Sequence, residues 1–395
     1  MDTPVSIRSR RPAERRVTVA ARAALTALLL SFNTAAGAAQ VVHALFIPLA
    51  DHYAALVAYE KYRGRMQHAD FRLERVNGPW LVRTRFADPD VDMAFEVAPM
   101  AMDMFLEQPD FRWIGLMHRD GNALAVNDLL DQFIRLPDQR SQRRPNRRVA
   151  EGLRQARKLR GHPLEIGLPH PQATHTAVLY KFLKDHDLSM GVEYGPDKDV
   201  VTVRVSPPEA PRFIKRQGSR GVPSGFEQSL PWADVAEQMG LGRIAWYSKD
   251  VVRWPRGHVE CIILAKDNAI AEKRAAVAEV VRYIHQAGID IEAARREGGA
   301  PLDEIIAMIR RHIPEHTPRA IRESLRPDLN VINYHHLNVD KGGLRQIMDL
   351  SVEAGIIPAP VDIDAFADES FATDITDAEP ASVSPARPAG SDSHE

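Results

Sequence analysis

Val41-Val42-His43-Ala44-Leu45-Phe46-Ile47-Pro48-Leu49-Ala50-Asp51-His52-Tyr53-Ala54-Ala55-Leu56 is the stretch on which the fold turns. Its first seven residues form a short β-rich apolar run, so Val41–Ile47 reads as a strand, and Tyr53–Tyr62 reads as the helix that follows. Pro48–His52 is then the loop between them. A loop that ends a strand and opens a helix directs unpaired backbone N–H groups away from the sheet, where an anion can dock. Asp51 either caps the helix or lines the crevice at this point.

The same alternation continues outward. Strands are expected at Phe71–Val76, Val91–Val97 and Phe111–Met117, separated by helices at Trp80–Ala87 and Pro99–Leu106. A second series follows, with strands Leu164–Leu168, Val200–Val205, Arg243–Tyr247 and Val259–Leu264. Its helices are Gln172–Asp185, Pro208–Gln217 and Trp232–Met239. Alternation of this kind predicts β-α-β units, a largely parallel sheet and helices on both faces. Ligands on such sheets sit beyond the carboxyl ends of the strands. After residue 264 the pattern is helical, over Ile270–Ala287, Asp290–Arg296, Leu302–Ile313, Pro318–Leu325 and Lys341–Ala354.

With 395 residues, 44% of them hydrophobic, the chain exceeds what one core usually serves, about 250 to 300 residues, so two lobes are expected. Fifty-one basic and 53 acidic side chains leave a formal charge of −2, which gives no electrostatic reason to expect nucleic acid. The single cysteine, Cys261, excludes an intrachain disulfide framework and a cysteine-clustered metal site. Residues 140–160 carry a basic run containing Arg143, Arg144, Arg147 and Arg148 without an aromatic residue to stack on bases. It reads as a solvated linker and surface helix.

Residues 1–39 read as a cleavable export signal: Arg8, Arg10, Arg11, Arg15 and Arg16, a short apolar run from Ala23 to Phe32, then small residues up to Ala39. The apolar run falls short of the roughly 20 residues that span a bilayer. Arg10-Arg11 leaves both the general secretory and the twin-arginine route open. Cleavage after Ala38 removes six basic and two acidic residues, leaving 45 basic against 51 acidic and a net charge of −6. The stretch from residue 372 onward, rich in Ala, Ser, Pro and Asp, reads as a disordered tail.

Several segments carry a resemblance in a fixed order. They are Phe46 to Leu56, Val91-Asp92-Met93-Ala94-Phe95 with Ala98-Pro99-Met100, Gly121-Asn122, Leu168-Pro169-His170 leading to Thr174-His175, and Pro231-Trp232. Together, over roughly residues 42–368, the sequence resembles the solute-binding proteins of nitrate/bicarbonate/sulfonate-type ABC importers. Thiamine-pyrimidine synthases have a related fold. The resemblance implies an α/β, two-lobed periplasmic binding protein of type II, each lobe a mainly parallel sheet flanked by helices. One lobe would hold residues 40–127 plus 256–371, the other residues 128–255. It implies a monomer that captures one small ligand in an interlobe cleft and hands it to an ABC permease and its ATPase. Neither cofactor nor metal is expected, nor membrane insertion after signal cleavage.

Candidate ligand contacts are Pro48, Asp51, His52, Trp80, Pro99, Met100, Asn122, His170, Thr174, His175 and Trp232. Trp80, after a strand-to-helix turn, either stacks on ligand or covers a lobe edge. Asn122 is a polar contact or a turn residue. Thr174 and His175 occupy a helix start, where negative charge is favoured; the spacing of five from His170 does not suit two metal ligands on one helical face. Trp232 either packs on ligand or closes the helix start.

In the family the segment before Pro-Trp commonly ends Gly-Glu; here Ser229-Leu230 stands there, so nitrate or bicarbonate specificity does not carry over. No nucleophile elbow, phosphate loop or dinucleotide fingerprint is present. Cys261, near His258, lies inside an apolar run as a buried thiol. A binding protein is therefore expected rather than an enzyme. A sensor or partner-presenting domain is the alternative, and less so an enzyme like the thiamine-pyrimidine synthases, whose cysteine-rich metal segment this chain lacks.

Overall fold

The computed structural model describes residues 38–375 together with Met1. The expected export signal and most of the expected tail lie outside the described residues. Two mixed sheets organise the chain. The first has strand order β2-β1-β3-β12-β4, from β1 (Gln40–Phe46), β2 (Ala69–Arg75), β3 (Met93–Val97), β4 (Phe111–Leu116) and β12 (Cys261–Lys266). Between its strands lie the helices α1 (Tyr53–Tyr62), α2 (Pro79–Phe86) and α3 (Ala98–Glu107).

The second sheet has order β11-β6-β10-β7-β9-β8. Its strands are β6 (Asn122–Val126), β7 (Leu164–Leu168), β8 (Met190–Gly191), β9 (Val200–Arg204), β10 (Gly225–Ser229) and β11 (Arg243–Tyr247). It carries the helices α4 (Asp128–Ile134), α5 (Arg147–Arg160), α6 (Thr174–Lys184), α7 (Ala210–Ser219) and α8 (Trp232–Gln238). A short ribbon pairs β5 (Arg119–Asp120) with β13 (Ile332–Asn333). The helices α9 (Asp267–Glu297), α10 (Gly299–His312), α11 (Pro318–Ser324), α12 (Lys341–Glu353) and α13 (Ile363–Phe366) complete the described chain.

The α/β class and the two mainly parallel, helix-flanked sheets agree with expectation, and in each sheet a single strand runs against the rest. β1 runs parallel to β2 and β3, whereas β12 lies antiparallel between β3 and β4. In the second sheet β6 is antiparallel to both β10 and β11. Both irregularities arise where the chain passes between sheets: β12 re-enters the first sheet from the second, and β6 leaves the first for the second. The outward passage is complete at Asn122, so the sheet boundary lies a few residues before the expected 127.

The two passages run side by side. The Met117 N–H donates to the Cys261 carbonyl and the Asp120 N–H to the His258 carbonyl. Each sheet has its own aromatic and aliphatic core, around Trp113, Phe95 and Phe366 in one and Trp246, Phe182 and Phe226 in the other, all fully buried.

Three local expectations need correction. The helices at Ile270–Ala287 and Asp290–Arg296 are one element, α9, with a non-helical residue at Lys273. Gly288 does not break it. A Cβ there would lie 2.9 Å from the Tyr334 carbonyl oxygen, so the position is glycine to admit a close neighbour. The linker within the basic run is solvated except at Arg143, which is buried and donates to the carbonyls of Pro137, Asp138 and Ile244 and to Glu237. The surface helix of that run is present as α5, capped by Asn146. The tail expected from 372 starts tied down, because the Thr373 N–H donates to Asn338 Oδ1 and the Thr373 hydroxyl lies 2.8 Å from His285 Nδ1.

Candidate functional site

The loops past β1, β7 and β10 meet the two passage strands, and their polar side chains converge in one buried cluster. The loop after β1 contributes Asp51, and β10 ends at Ser229, whose hydroxyl donates to Asp51 Oδ2 at 2.8 Å. His175, in the first turn of α6, lies with Nε2 2.9 Å from the same hydroxyl. Since Ser229 spends its hydrogen on Asp51, His175 Nε2 carries a proton and donates it to Ser229. That leaves Nδ1 as a lone pair, 3.5 Å from Glu260 Oε1 and without a hydrogen-bond partner. Across the passage strands His118 Nε2 stands 3.1 Å from Glu260 Oε2 and 3.6 Å from Asp51 Oδ2. Asn122 Nδ2 donates to Glu260 Oε1 at 3.3 Å.

The electrostatics follow from burial. Burial alone would raise the Asp51 carboxyl, but His118, with His52 and His175, holds it below the usual range. Burial works against a charge on His118, and Asp51 and Glu260 outweigh it, so its pKa stands above the ordinary imidazole range. Burial raises Glu260, and the Asp51 charge adds to this. Glu227, on the same face of β10 as Ser229, is pushed well up by burial, then by Glu260 and Asp51; neither of its oxygens has a partner. Burial lowers His175 to about 3, keeping it neutral.

Buried polar atoms normally find partners. Here Asp51 Oδ1, His118 Nδ1, Asn122 Oδ1, His175 Nδ1 and both Glu227 oxygens have none. No ion pair or hydrogen bond described for Asp51, Glu96, Glu227 or Glu260 reaches a lysine or arginine. The cluster therefore offers carboxyls and imidazoles to whatever enters it.

Direct bonds between the two sheets close the cluster. The Ala50 N–H donates to the Leu230 carbonyl at 2.7 Å and the Thr174 hydroxyl to the Glu260 carbonyl at 3.3 Å. The Trp232 indole N–H donates to the Pro48 carbonyl at 2.9 Å, so of its two readings the closing one fits the geometry. Asp51 faces Ser229 and His118 and makes no cap to its helix.

Pro48, Asp51, His52, Asn122, Thr174, His175 and Trp232 are thus brought together. His52 lies on the inner side, its Nε2 3.1 Å from Cys261 Sγ. Pro99 opens α3, whose Ala98 N–H donates to the Glu260 carbonyl, and Met100 beside it accepts from Arg83 at 3.5 Å.

Two candidates fall outside the cluster. Trp80 is 44% exposed, because the turn at Gly78 directs its ring outward. His170 is half-buried and accepts the Gln172 N–H at 3.2 Å, which ties it into the turn before α6. The residues that the sequence reading passed over are His118, Ser229, Glu227 and Glu260. Glu96 and Glu260 had a signal, since each interrupts an apolar strand or its approach, whereas Glu227 sits beside Gln228 and Ser229. Glu227 and Glu260 also supply the acid that appeared missing when Leu230 replaced the family's glutamate.

A family model described as the NMT1-like family matches residues 36–299. Among curated proteins none matches the sequence. The periplasmic nitrate-binding protein NrtA from Synechocystis PCC 6803 shares the fold at 14% identity, with 85% of this chain and 87% of that chain covered and a TM-score of 0.68. The ligand-binding component of an ABC-type import system from Staphylococcus aureus, with zinc bound, aligns at 16% identity, with 85% and 99% covered and a TM-score of 0.65. The alkanesulfonate-binding protein SsuA from Xanthomonas axonopodis aligns at 11% identity, with 84% and 99% covered and a TM-score of 0.60. The fold is not confined to binding proteins: the desulfurization enzyme DSZB aligns at 14% identity, with 84% and 97% covered and a TM-score of 0.53.

Proposed function

This chain belongs to the NMT1-like family, and from that premise we propose that it is an extracytoplasmic solute-binding protein. It captures one small molecule between its two lobes and presents it to an ABC permease and its ATPase. Residues 1–39 act as the export signal, and among the described residues no helix is long and apolar enough to cross a membrane. The lobes are residues 40–121 with 256–371, and residues 122–255. The two adjacent passages serve as the hinge about which they part and close.

The observation that carries this reading is the cluster itself. Loops from both sheets place Asp51, Ser229, His175, Glu260, His118 and Glu227 together, fully buried, with polar atoms left unpartnered. Atoms in that state cost about 1–3 kcal/mol each, and a solute that pairs with them recovers the cost. Of the ligand classes open to this family, the donor set favours a planar heteroaromatic bearing N–H groups over nitrate or a sulfonate. Carboxyls accept from N–H donors, whereas an oxyanion needs the guanidinium or ammonium clamp that the cluster lacks.

The test is a thermal-shift screen of the mature chain in chelator, with aminopyrimidines, nitrate and alkanesulfonates as the panel. Binding to the folded state raises the midpoint. The expected result is a shift with an aminopyrimidine, abolished by His175→Ala. A shift confined to the oxyanions would refute the ligand class, and binding untouched by His175→Ala would refute the site.

A further inference from the structure

The inner corner of the cluster joins three donors of different chemistry. A ring nitrogen of His118, a Glu260 carboxylate oxygen and Cys261 Sγ lie within 4.8 Å of one another, and all three residues are buried. They are distant in sequence, 118 against 260 and 261, and meet because the two passages between the sheets run antiparallel there. A fourth oxygen is at hand, since Asp51 Oδ2 is 3.6 Å from His118 Nε2 and Asp51 Oδ1 has no partner.

From this convergence we propose that His118, Glu260 and Cys261, with Asp51, form a binding site for a divalent transition metal such as zinc. It rests on the solute-binding reading in one respect, namely that the lobes must part to admit the ion. For metal–ligand bonds of about 2.0–2.3 Å, donors on a tetrahedron stand about 3.3–3.8 Å apart. The 3.1 Å and 3.6 Å separations at His118 need only small side-chain movements to reach that geometry, and the Cys261 thiol, within 4.8 Å, must close by up to about 1 Å. A thiolate with an imidazole suits zinc and its neighbours, whereas calcium and magnesium take oxygen ligands.

An outer layer is in place as well. His52 Nε2 lies 3.1 Å from Cys261 Sγ, and its Nδ1, 2.8 Å from the Ile47 nitrogen and 3.0 Å from the Ile47 carbonyl oxygen, holds the ring against the thiol. Asn122 donates to Glu260, and Ser229 donates to Asp51. Such partners orient metal ligands and fix their lone pairs. As the ion enters, the thiol proton and the proton held between His118 and Glu260 leave to solvent, and the carboxylates balance the metal charge.

Cobalt(II), added to the chelator-treated mature chain, is the probe. One equivalent is expected to give a thiolate-to-cobalt charge-transfer band with tetrahedral visible absorption, and one equivalent of zinc is expected to displace it. Cys261→Ser should abolish the charge-transfer band, and His118→Gln should weaken binding by more than about 100-fold, beyond the loss usual for an outer-layer partner. An octahedral spectrum without a thiolate band, or equal affinity in Cys261→Ser, would overturn the proposal. Should either variant fail to fold, alkylation of Cys261 in the unaltered chain decides. Zinc is expected to slow the reaction, and equal rates with and without zinc count against the site. Solute binding is measured in chelator, so its failure and the failure of the metal site are separate results.

Discussion

Glu227 shows how a single residue can be costly to the fold and useful to the site. It is fully buried on a strand, neither oxygen has a partner, and two further carboxyls lie nearby. Replacing a buried, unsatisfied polar group by an apolar side chain of similar volume is commonly neutral or stabilising. Glu227→Leu is therefore expected to leave the ligand-free chain as stable or up to about 2 kcal/mol more stable in urea, while abolishing solute-induced thermal shifts. Loss of stability together with retained solute binding would assign Glu227 to the scaffold. Half of the cluster was legible before the structure. Pro48, Asp51, His175 and Trp232 sit at strand ends and helix starts, which the alternating pattern locates. His118 and Glu260 are 142 positions apart, and no spacing rule joins them; only the side-by-side passages do. Glu96 and Glu260 were the overlooked local signal, because a charge inside an apolar run needs a reason.

At the scale of elements, helix existence and order followed the sequence closely, and breaks were less legible. The sequence pattern reads as two helices parted at Gly288, yet α9 runs through, and that glycine answers to Tyr334, a residue from a different part of the chain. Close approach of two elements can be tested where it is tightest. Gly152 in α5 faces α4, and a Cβ there would come within 2.6 Å of Ile134 Cγ1 and 2.9 Å of Ile134 Cα. Alanine favours an exposed helix interior over glycine by about 1 kcal/mol. Backbone atoms at 2.9 Å cannot move aside locally, so the clash outweighs propensity. Gly152→Ala is expected to destabilise the second lobe by about 1–3 kcal/mol, read from its urea midpoint. An unchanged or raised midpoint would show that α4 and α5 shift freely. The antiparallel insertion of β12 was likewise invisible locally, since strand direction is set by where the chain returns from.

For the molecule as a whole, acid sensitivity follows from histidines that the fold keeps neutral. His285, remote from the cluster, is lowered to about 4 by burial from its ordinary 6.5. Between those values the unfolded chain binds a proton that the native chain does not, so its contribution to stability is present near neutral pH and lost on acidification. One such ring steepens the stability profile by about 1.4 kcal/mol per pH unit within the window. His285→Asn keeps a polar group near Thr373 and removes the titration. Urea unfolding of both proteins from pH 7 to pH 4 should show the shallower profile in the variant, and parallel profiles would mean that His285 is charged in the native state.

The central claim is that the acid and imidazole cluster is a solute site enclosed when the lobes close. Small-angle scattering of the mature chain, with and without the solute that most raises its melting temperature, tests this most directly. A smaller radius of gyration on binding, absent in His175→Ala, is the predicted outcome. Saturating solute that leaves the radius unchanged would contradict it.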